Sequence, residues 1–342
     1  MAVAPVKFKG PLTNISGQVA AGNLVTVQLP PVFRAGTVNF ECTCTKAASA
    51  GVKTFPLISD FGSLIQMKVG GDPKRTRYFS ELWGAQGLAA LTDVNAGGTV
   101  VYSQPTANAG AGNANLSIIP VLIGSAADLA QQALLVVNTA TNATFRLPMQ
   151  FSEPFRKEYT MTEALALTQA RSDGTNIGVV TFEITMAATA NISGYALKAY
   201  WEYDTLVAAP GAVVSLLKEY RYTVPYTATG DLEVGAQIPN KDALSRVSLL
   251  TTATDNITRV VVRQGTAVVR DIYYPENVSE LVRKDYNVNA IVSNRFDIEF
   301  DENDDPNQAL LLDPNKPLSI TATLGSNNGA TVVVLTSTYG PL

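Results

Sequence analysis

Apolar and polar residues alternate in short runs along most of the chain, and this period of two predicts β-strands. Clusters of Gly, Pro, Asn and Asp, such as "GGDP" and "GSNNGA", separate the runs and are typical of turns. Many short strands divided by turns predict an all-β sandwich or barrel rather than alternating strands and helices. The predicted strands cover 23–29, 37–45, 63–69, 99–103, 116–123, 133–138, 144–151, 178–187, 195–206, 219–227, 259–264, 267–274, 295–300, 318–324 and 331–339.

Only three short segments have the spacing of an amphipathic helix. Residues 125–132 begin with a Ser-x-x-Asp sequence that resembles a capping box. Residues 159–174 offer a Thr as N-cap and end at Gly174, and residues 277–286 form a third candidate of about two turns. Their apolar residues, spaced at i, i+3 and i+4, predict packing against a sandwich.

Two segments far apart in the chain share one order of features. Residues 59–83 and 254–282 each contain an Asp, an apolar strand, a Gly turn, an Arg-containing strand that ends in aromatic residues, and a Ser-Glu-Leu triplet. The offset between the segments is 195 residues at the Asp and 199 at the triplet, which implies a short insertion in the second segment. This order predicts a tandem duplication of one eight-stranded sandwich.

The boundary between the two halves is predicted in "VAAPGAVVS" at 207–215, where Pro210-Gly211 signals a turn. The first unit then covers 1–208, with a long Gly/Ala/Asn-rich loop insertion at 91–115, and the second covers 209–342. Insertions between strands are the usual place where duplicated β units diverge.

The layout of the first half resembles that of a known family. The Asp60-Phe61-Gly62 opener, the Asp72-Pro73 turn, the Ser-Glu-Leu-Trp continuation and the aromatic strand at 195–206 are similar to double jelly-roll major capsid proteins. The likeness is greatest to the tectivirus-like group, the tailless icosahedral phages with an internal membrane, within the wider adenovirus-type capsid lineage. The chain departs from that group in having no long helical arm before its first strand.

The resemblance implies both a fold and a role. Each half would be an eight-stranded jelly roll, and three chains would form a homotrimer with six-fold pseudo-symmetry. Such trimers tile an icosahedral shell, with neighbouring trimers, penton and minor capsid proteins as partners and a lipid membrane beneath. The chain would be made in the host cytoplasm and would act in the virion without catalysis.

Composition agrees with a protein that buries surface against partners. Charged residues make up 16% of the chain, against about 25% in a typical soluble domain. A stable extracellular β protein would have the same composition. The net charge of −4 and the lack of a basic run argue against direct nucleic-acid binding. No secretory signal or bilayer-spanning segment is evident, which predicts a soluble chain.

The chain has no histidine, which excludes Ser-His-Asp and Cys-His catalysis and His-ligated metals. Cys42 and Cys44 alternate on one predicted strand, which suits a disulfide poorly, and two thiolates alone cannot complete a zinc site. We therefore interpret both as small buried apolar residues. The sequence predicts no enzyme, no cofactor and no catalytic residues.

Two acidic patterns in the sequence offer alternatives to this interpretation. Glu202 and Asp204 alternate beside Trp201 and Tyr203, a set that suits a carboxylate-only glycosidase, although paired surface charges are the commoner meaning. Asp301, Asn303 and Asp305 have the spacing of a calcium loop. Pro306 and Leu312 replace the Gly and Glu that such a loop needs, which favours a solvated turn over a weak calcium site.

The alternative function is a carbohydrate- or receptor-binding module of a phage spike or an adhesin. It requires aromatic and acidic residues gathered on loops together with a fibrous stalk, and the sequence shows no stalk.

Overall fold

The structure is a computed structural model of the 342-residue chain. It describes residues 8–31, 34–47, 61–79, 81, 116–118, 142–151, 167–207, 209–210, 215–251, 256–283, 295–300, 308–325 and 331–341.

Eleven strands precede residue 205 in the described part of the chain. They are β1 (Phe8–Leu12), β2 (Ile15–Ser16), β3 (Leu24–Gln28), β4 (Arg34–Lys46), β5 (Gly62–Val69), β6 (Asp72–Tyr78), β7 (Leu116–Ile118), β8 (Asn142–Gln150), β9 (Leu167–Thr168), β10 (Val180–Met186) and β11 (Ile192–Asp204).

These strands form two layers that enclose one apolar core. One layer has the order β1-β11-β4-β8, extended by β7 and by β9 beside β4, and the other has the order β3-β10-β5-β6, extended by β2. Side chains alternate between core and surface along each strand, so each layer turns one apolar face inward. Phe40 of β4 and Phe182 of β10 meet edge-to-face across the core, with ring centroids 5.4 Å apart.

The second half repeats this arrangement around a second core. Its strands form the layers β12-β20-β14-β17, with β18 beside β14, and β13-β19-β15-β16. They are β12 (Ser215–Pro225), β13 (Gly230–Glu233), β14 (Ala243–Leu250), β15 (Ile257–Gln264), β16 (Ala267–Tyr273), β17 (Arg295–Glu299), β18 (Leu310–Leu311), β19 (Leu318–Leu324) and β20 (Thr331–Pro341), and one helix, α1 (Tyr274–Arg283), follows β16.

The two halves have matching strand orders. Eight strands of each half occupy equivalent positions when both halves are followed in chain order. They are β1, β3, β4, β5, β6, β8, β10 and β11 in the first half and, respectively, β12, β13, β14, β15, β16, β17, β19 and β20 in the second. Even the short strands correspond, because β9 pairs with β4 as β18 pairs with β14. Each set of eight strands in two facing sheets is a jelly roll. The predicted fold class, all-β with two tandem eight-stranded jelly rolls, is confirmed.

The match extends to the register of individual residues. Leu64 pairs with Tyr78 in the β5–β6 hairpin, and Arg259 pairs with Tyr273, each 195 positions later, in the β15–β16 hairpin. All six pairings of one hairpin recur in the other at this offset, as does the register shift two pairs before the turn. Gly70 and Gly265 occupy equivalent turn positions with φ of 58° and 61°, where glycine alone is unstrained.

The predicted change of offset at the Ser-Glu-Leu triplet is wrong. Glu81 accepts a hydrogen bond from the Tyr78 backbone N–H at 2.9 Å, and Glu276 accepts one from Tyr273 at 2.9 Å, so the offset remains 195. Ser279 lies further along α1, where its hydroxyl donates to the Pro275 carbonyl oxygen. The equivalent feature is the carboxylate that caps the turn after each hairpin. Both Asp residues that open the predicted repeat lie outside the described residues.

The three predicted helices have different outcomes. The helix at 277–286 is confirmed over its described part, 277–283, as α1, which starts at Tyr274 because Glu276 caps it. The segment 125–132 lies outside the described residues. The helix at 159–174 is wrong over its described part, since Leu167–Thr168 is a strand on β4 and a turn follows at Asp173 and Gly174.

Six described strands were missed by the period-two pattern, namely β1, β2, β9, β13, β14 and β18. β1 contains Gly10 and Pro11, which weaken a strand signal but are tolerated on a sheet edge. β14 does not alternate because six consecutive residues, from Leu244 to Leu249, are buried on both faces of the sheet. The domain boundary after residue 208 stays a prediction.

A tightly packed glycine offers a test of the first core. A Cβ on Gly62 would lie 2.7 Å from the ring of Phe79, which is fully buried. We expect Gly62→Ala to lower the free energy of unfolding by about 1–3 kcal/mol, because the ring has no room to move. Urea unfolding measures this change.

Gly10→Ala is the control, since its Cβ would meet no atom closer than 3.7 Å. It should change stability by less than about 0.5 kcal/mol. Phe79→Leu should partly restore the Gly62→Ala variant, and equal unfolding midpoints for the two alanine variants would contradict the packing argument.

Candidate functional site

The two jelly rolls meet where β6 of the first lies beside β12 of the second. The strands run parallel and share one bridge, between Arg75 and Glu219. This contact joins the β3-β10-β5-β6 layer to the β12-β20-β14-β17 layer, so that one ten-stranded sheet extends through both rolls. We call the buried charges at this contact, Arg75, Arg77 and Glu219, the roll junction.

Glu219 lies between two arginines at the roll junction. The Arg75 Nε atom donates to one carboxylate oxygen, and the Arg77 Nη2 atom lies 3.3 Å from the other. All three side chains are at most 7% exposed. Arg77 also donates to the backbone carbonyl oxygens of Tyr220 at 2.8 Å and Thr336 at 3.0 Å. A side chain of the first roll therefore satisfies backbone groups of the second.

A second ion pair borders the roll junction. The Arg221 Nε atom donates to Glu81 at 2.7 Å, and its guanidinium lies 4.1 Å from the centre of the Tyr78 ring. Glu81 is the residue that caps the turn after β6. The local structure of that turn is thus coupled to the position of β12 in the other roll.

Burial and charge act in opposite directions at the roll junction. Burial raises the pKa of Glu219, but the charges and hydrogen bonds of Arg75 and Arg77 outweigh it, so the pKa is lower than the usual 4.5. Burial lowers the pKa of Arg77, and Glu219 and Glu81 partly offset that effect. The carboxylate therefore remains ionised between the two cations.

A separate buried cluster of charges occupies the second roll. Asp297 accepts hydrogen bonds from Arg295 at 2.6 Å, from Arg246 at 2.8 Å and from the Ser248 hydroxyl. Arg246 also contacts Glu299 at 3.0 Å. Burial alone would raise the pKa of Asp297, but the two arginines bring it well below its usual 3.8.

An open groove lies on the first roll, on the outer side of β1, β11 and β4. Its volume is about 580 Å³. Ion pairs cross it between Lys9 and Glu202 at 2.6 Å and between Lys198 and Glu41 at 3.8 Å. Tyr200 is 39% exposed there, whereas Trp201 is buried. The groove is lined by Lys9, Gly10, Pro11, Asn39, Glu41, Tyr200, Trp201 and Glu202.

The carboxylates considered for glycoside chemistry have separate cationic partners. Asp204 is buried and accepts three hydrogen bonds from Arg34, of 2.6, 3.0 and 3.1 Å. Glu202 is half-buried and pairs with Lys9 in the groove. Both are thus engaged in ion pairs, which is the commoner meaning of such a pattern.

The remaining candidates for metal or redox chemistry are the two cysteines and the possible calcium residues. Cys42 and Cys44 are buried on β4, as predicted, and neither forms a disulfide. The possible calcium residues Asp301, Asn303 and Asp305 lie outside the described residues. Within the described part of the chain, no three His, Cys, Asp or Glu side chains are grouped so as to hold a metal, and no helix is long and apolar enough to cross a membrane.

The roll junction was missed from the sequence. Arg75 and Arg77 alternate on one strand, and this pattern is the only local signal that two cations share a face. Their acceptor Glu219 is 144 residues away from Arg75, and nothing in the sequence links the two positions.

No protein-family model matches the sequence, and no curated protein is similar to it. Solved structures are similar along nearly the whole chain. The major capsid protein of Bacteriophage PM2 is 15% identical, covers 98% of each chain and gives a TM-score of 0.65. The STIV MCP is 11% identical over 98% of this chain and 96% of that one, with a TM-score of 0.61. The Faustovirus major capsid protein is 8% identical over 100% and 91%, with a TM-score of 0.57.

These similarities show a shared fold that includes both jelly rolls. The chain has the double jelly-roll fold of these proteins, which confirms the fold implied by the resemblance in the sequence. The coverage of both chains is nearly complete, so the doubling itself is part of the likeness.

Removal of the acid at the roll junction should destabilise the protein. Glu219→Gln leaves two buried arginines without their counter-charge, and we expect a loss of about 3–5 kcal/mol near neutral pH. Urea unfolding followed by fluorescence measures it. Glu183→Gln is the control, since Glu183 is part-buried and pairs with the single cation Lys68, and it should cost at most about 1 kcal/mol.

The same variant should change the pH dependence of stability. A carboxylate with a lowered pKa in the folded state contributes stability that is complete above its unfolded pKa, close to 4.5 for Glu219, and that disappears as the pH falls through the folded value. The difference between wild type and Glu219→Gln should therefore shrink between about pH 5 and pH 3. A difference independent of pH would contradict a charged junction.

Both cysteines should be unreactive in the folded chain. Burial raises the pKa of Cys42 well above its usual value, and the neighbouring Cys44 and Glu41 add to this effect. A chromogenic disulfide reagent should label neither thiol in the native protein and both in concentrated guanidinium chloride. Rapid labelling without unfolding would contradict the burial of this face of β4.

Proposed function

We propose that this chain is a viral major capsid protein, a homotrimeric building block of an icosahedral shell that has no catalytic activity. The observation that carries the proposal is the doubled jelly roll, which matches the major capsid protein of Bacteriophage PM2 over 98% of both chains. The structures named for the PBCV-1 capsid and for Sulfolobus Turreted Icosahedral Virus are similar over 99% and 97% of this chain.

The doubling supports a trimer on geometrical grounds. Two equivalent rolls in each chain give six equivalent units in a ring of three chains. A unit with a six-sided outline tiles a closed shell through repeated contacts, since homo-oligomers use symmetric surfaces. The low fraction of charged residues, 16%, suits large permanent contacts between copies.

The remaining parts of the proposal concern boundaries, partners and location. We place the first roll at 1–208 and the second at 209–342. The partners would be neighbouring trimers, penton and minor capsid proteins, and a lipid membrane beneath the shell, with no direct contact to nucleic acid. The chain would be made in the host cytoplasm and would function in the virion.

A mass measurement combined with negative-stain microscopy tests the proposal. The purified full chain should sediment at three times its mass of 36.3 kDa, and the particles should be compact with a hexagonal outline or should form closed shells. Glu202→Gln and the wild type should be equally inactive on a panel of glycosides if the chain has no catalytic activity.

Other outcomes discriminate between the functions. A monomer at every concentration and salt condition would overturn the capsid proposal. A discrete oligomer that never forms shells but binds a glycan array would instead favour the carbohydrate- or receptor-binding module. Glycoside hydrolysis that is lost in Glu202→Gln would establish an enzyme.

A further inference from the structure

One edge strand of the second roll has no second neighbour among the described strands. β16 corresponds to β6, and β6 is covered by β12 at the roll junction. Among the described strands, β16 pairs with β15 alone. Val268 and Tyr273 on β16 are 55% and 51% exposed. An exposed edge strand with apolar side chains is a template for pairing with another strand.

Within the described residues, the first roll has an edge strand of the complementary kind. β1 corresponds to β12, and among the described strands it pairs with β11 alone. Lys9 of β1 pairs with Glu202, and Glu219 of β12 pairs with Ser337. β11 has a register shift against β4 next to Glu202, and β20 has the same shift against β14 next to Ser337. When the two rolls are aligned at this shift, Lys9 of β1 occupies the position of Glu219 of β12.

Equivalent faces of the two rolls differ in exposure. The Lys9 side chain is 77% exposed, against 7% for Glu219. Tyr200 is 39% exposed, whereas Leu335, at the equivalent position of β20, is 7% exposed. The face that the roll junction covers in the second roll is therefore the open groove in the first.

We infer that β16 of one copy docks beside β1 of a second copy of this chain and repeats between chains the contact that β6 and β12 make within one. The inference rests on the proposed trimer and adds the surfaces and the register. In this contact Arg270 of the docked copy has the position that Arg75 has at the roll junction. It lies opposite Lys9 of the second copy, as Arg75 lies opposite Glu219 within one chain.

The charges at the two contacts are arranged differently but remain complementary. Within the chain the acid is Glu219 on the edge strand, and its neighbour on the next strand is the neutral Ser337. On the open face the edge residue is Lys9, and the acid is Glu202 one strand further in. Arg270 of the docked copy shares Glu202 with Lys9, so this carboxylate has the role that Glu219 has between Arg75 and Arg77.

This docking also produces a closed ring. Each chain offers one β1 edge and one β16 edge, at opposite rolls, so the contact is heterologous. Heterologous contacts either close into a ring or continue as a filament. Three contacts within chains alternating with three between chains give six equivalent junctions, the arrangement of a pseudo-hexagonal trimer.

Engineered cysteines test the register. In Lys9→Cys/Arg270→Cys the two thiols should lie opposite each other on neighbouring copies, within the range that a disulfide spans. Mild oxidation should yield covalent dimers and trimers on non-reducing gels. Each single variant should remain monomeric on the gel, because Cys42 and Cys44 are buried.

The matched control is Lys9→Cys/Asp231→Cys. Asp231 lies on β13, the opposite edge of the same four-stranded sheet. Cross-linking of the first pair well above the control supports the inference. If the chains form trimers by mass yet the two pairs cross-link equally, the docking is overturned and the capsid proposal stands. If the chains never associate, both are overturned.

A second variant measures the charge. We expect Glu202→Gln to weaken the association of chains roughly tenfold or more in analytical ultracentrifugation and to reduce its salt dependence. Glu183→Gln is the control, since Glu183 and Lys68 form an ion pair of the same 2.6 Å length on the other layer. Equal association constants for the two variants would overturn the role of Glu202.

Discussion

The burial of Glu219 between Arg75 and Arg77 is the constraint on which the arrangement of the two rolls depends. Three charges removed from water are tolerated only when each has its partner. The acid belongs to the second roll and both cations to the first, so neither roll buries its charges favourably unless the other is in place. Arg77 adds to this coupling by donating to Tyr220 and Thr336 carbonyl oxygens across the contact. The two rolls therefore share one continuous ten-stranded sheet.

The duplication preserves backbone geometry much better than side-chain identity. The hairpins β5–β6 and β15–β16 keep every pairing at an offset of 195 residues, together with the Gly turn and the capping carboxylate. The surfaces have diverged, because Ile272 stands where the first roll has Arg77, and Lys9 stands where the second has Glu219. Such divergence is expected if one pair of surfaces joins rolls within a chain and the other pair joins chains, since each contact then needs its own complementary charges.

Prediction from the sequence succeeded where a local rule was sufficient. Alternation identified most strands, Gly70 and Gly265 marked the turns, and Cys42 and Cys44 were correctly placed in the core. It failed where tertiary contacts overrode local preference. The spacing at 159–174 predicts a helix, but Leu167–Thr168 pairs with β4 as a strand instead. The residues of β14 do not alternate, because both faces of this strand are covered. The triplet match misled because three identical residues can lie at different positions of two equivalent turns.

The fold class, the presence of a repeat and the exclusion of histidine chemistry follow from the sequence alone, because they depend on periodicity, turn residues and composition. Which strand edges are covered and which charges are buried together depends instead on the tertiary structure. Arg75 and Glu219 are 144 residues apart, and their pairing follows from how two complete sandwiches meet rather than from any local pattern. The same holds for the open groove at Lys9 and for the edge of β16, which pairs with β15 alone among the described strands, because their equivalents in the other roll form the roll junction.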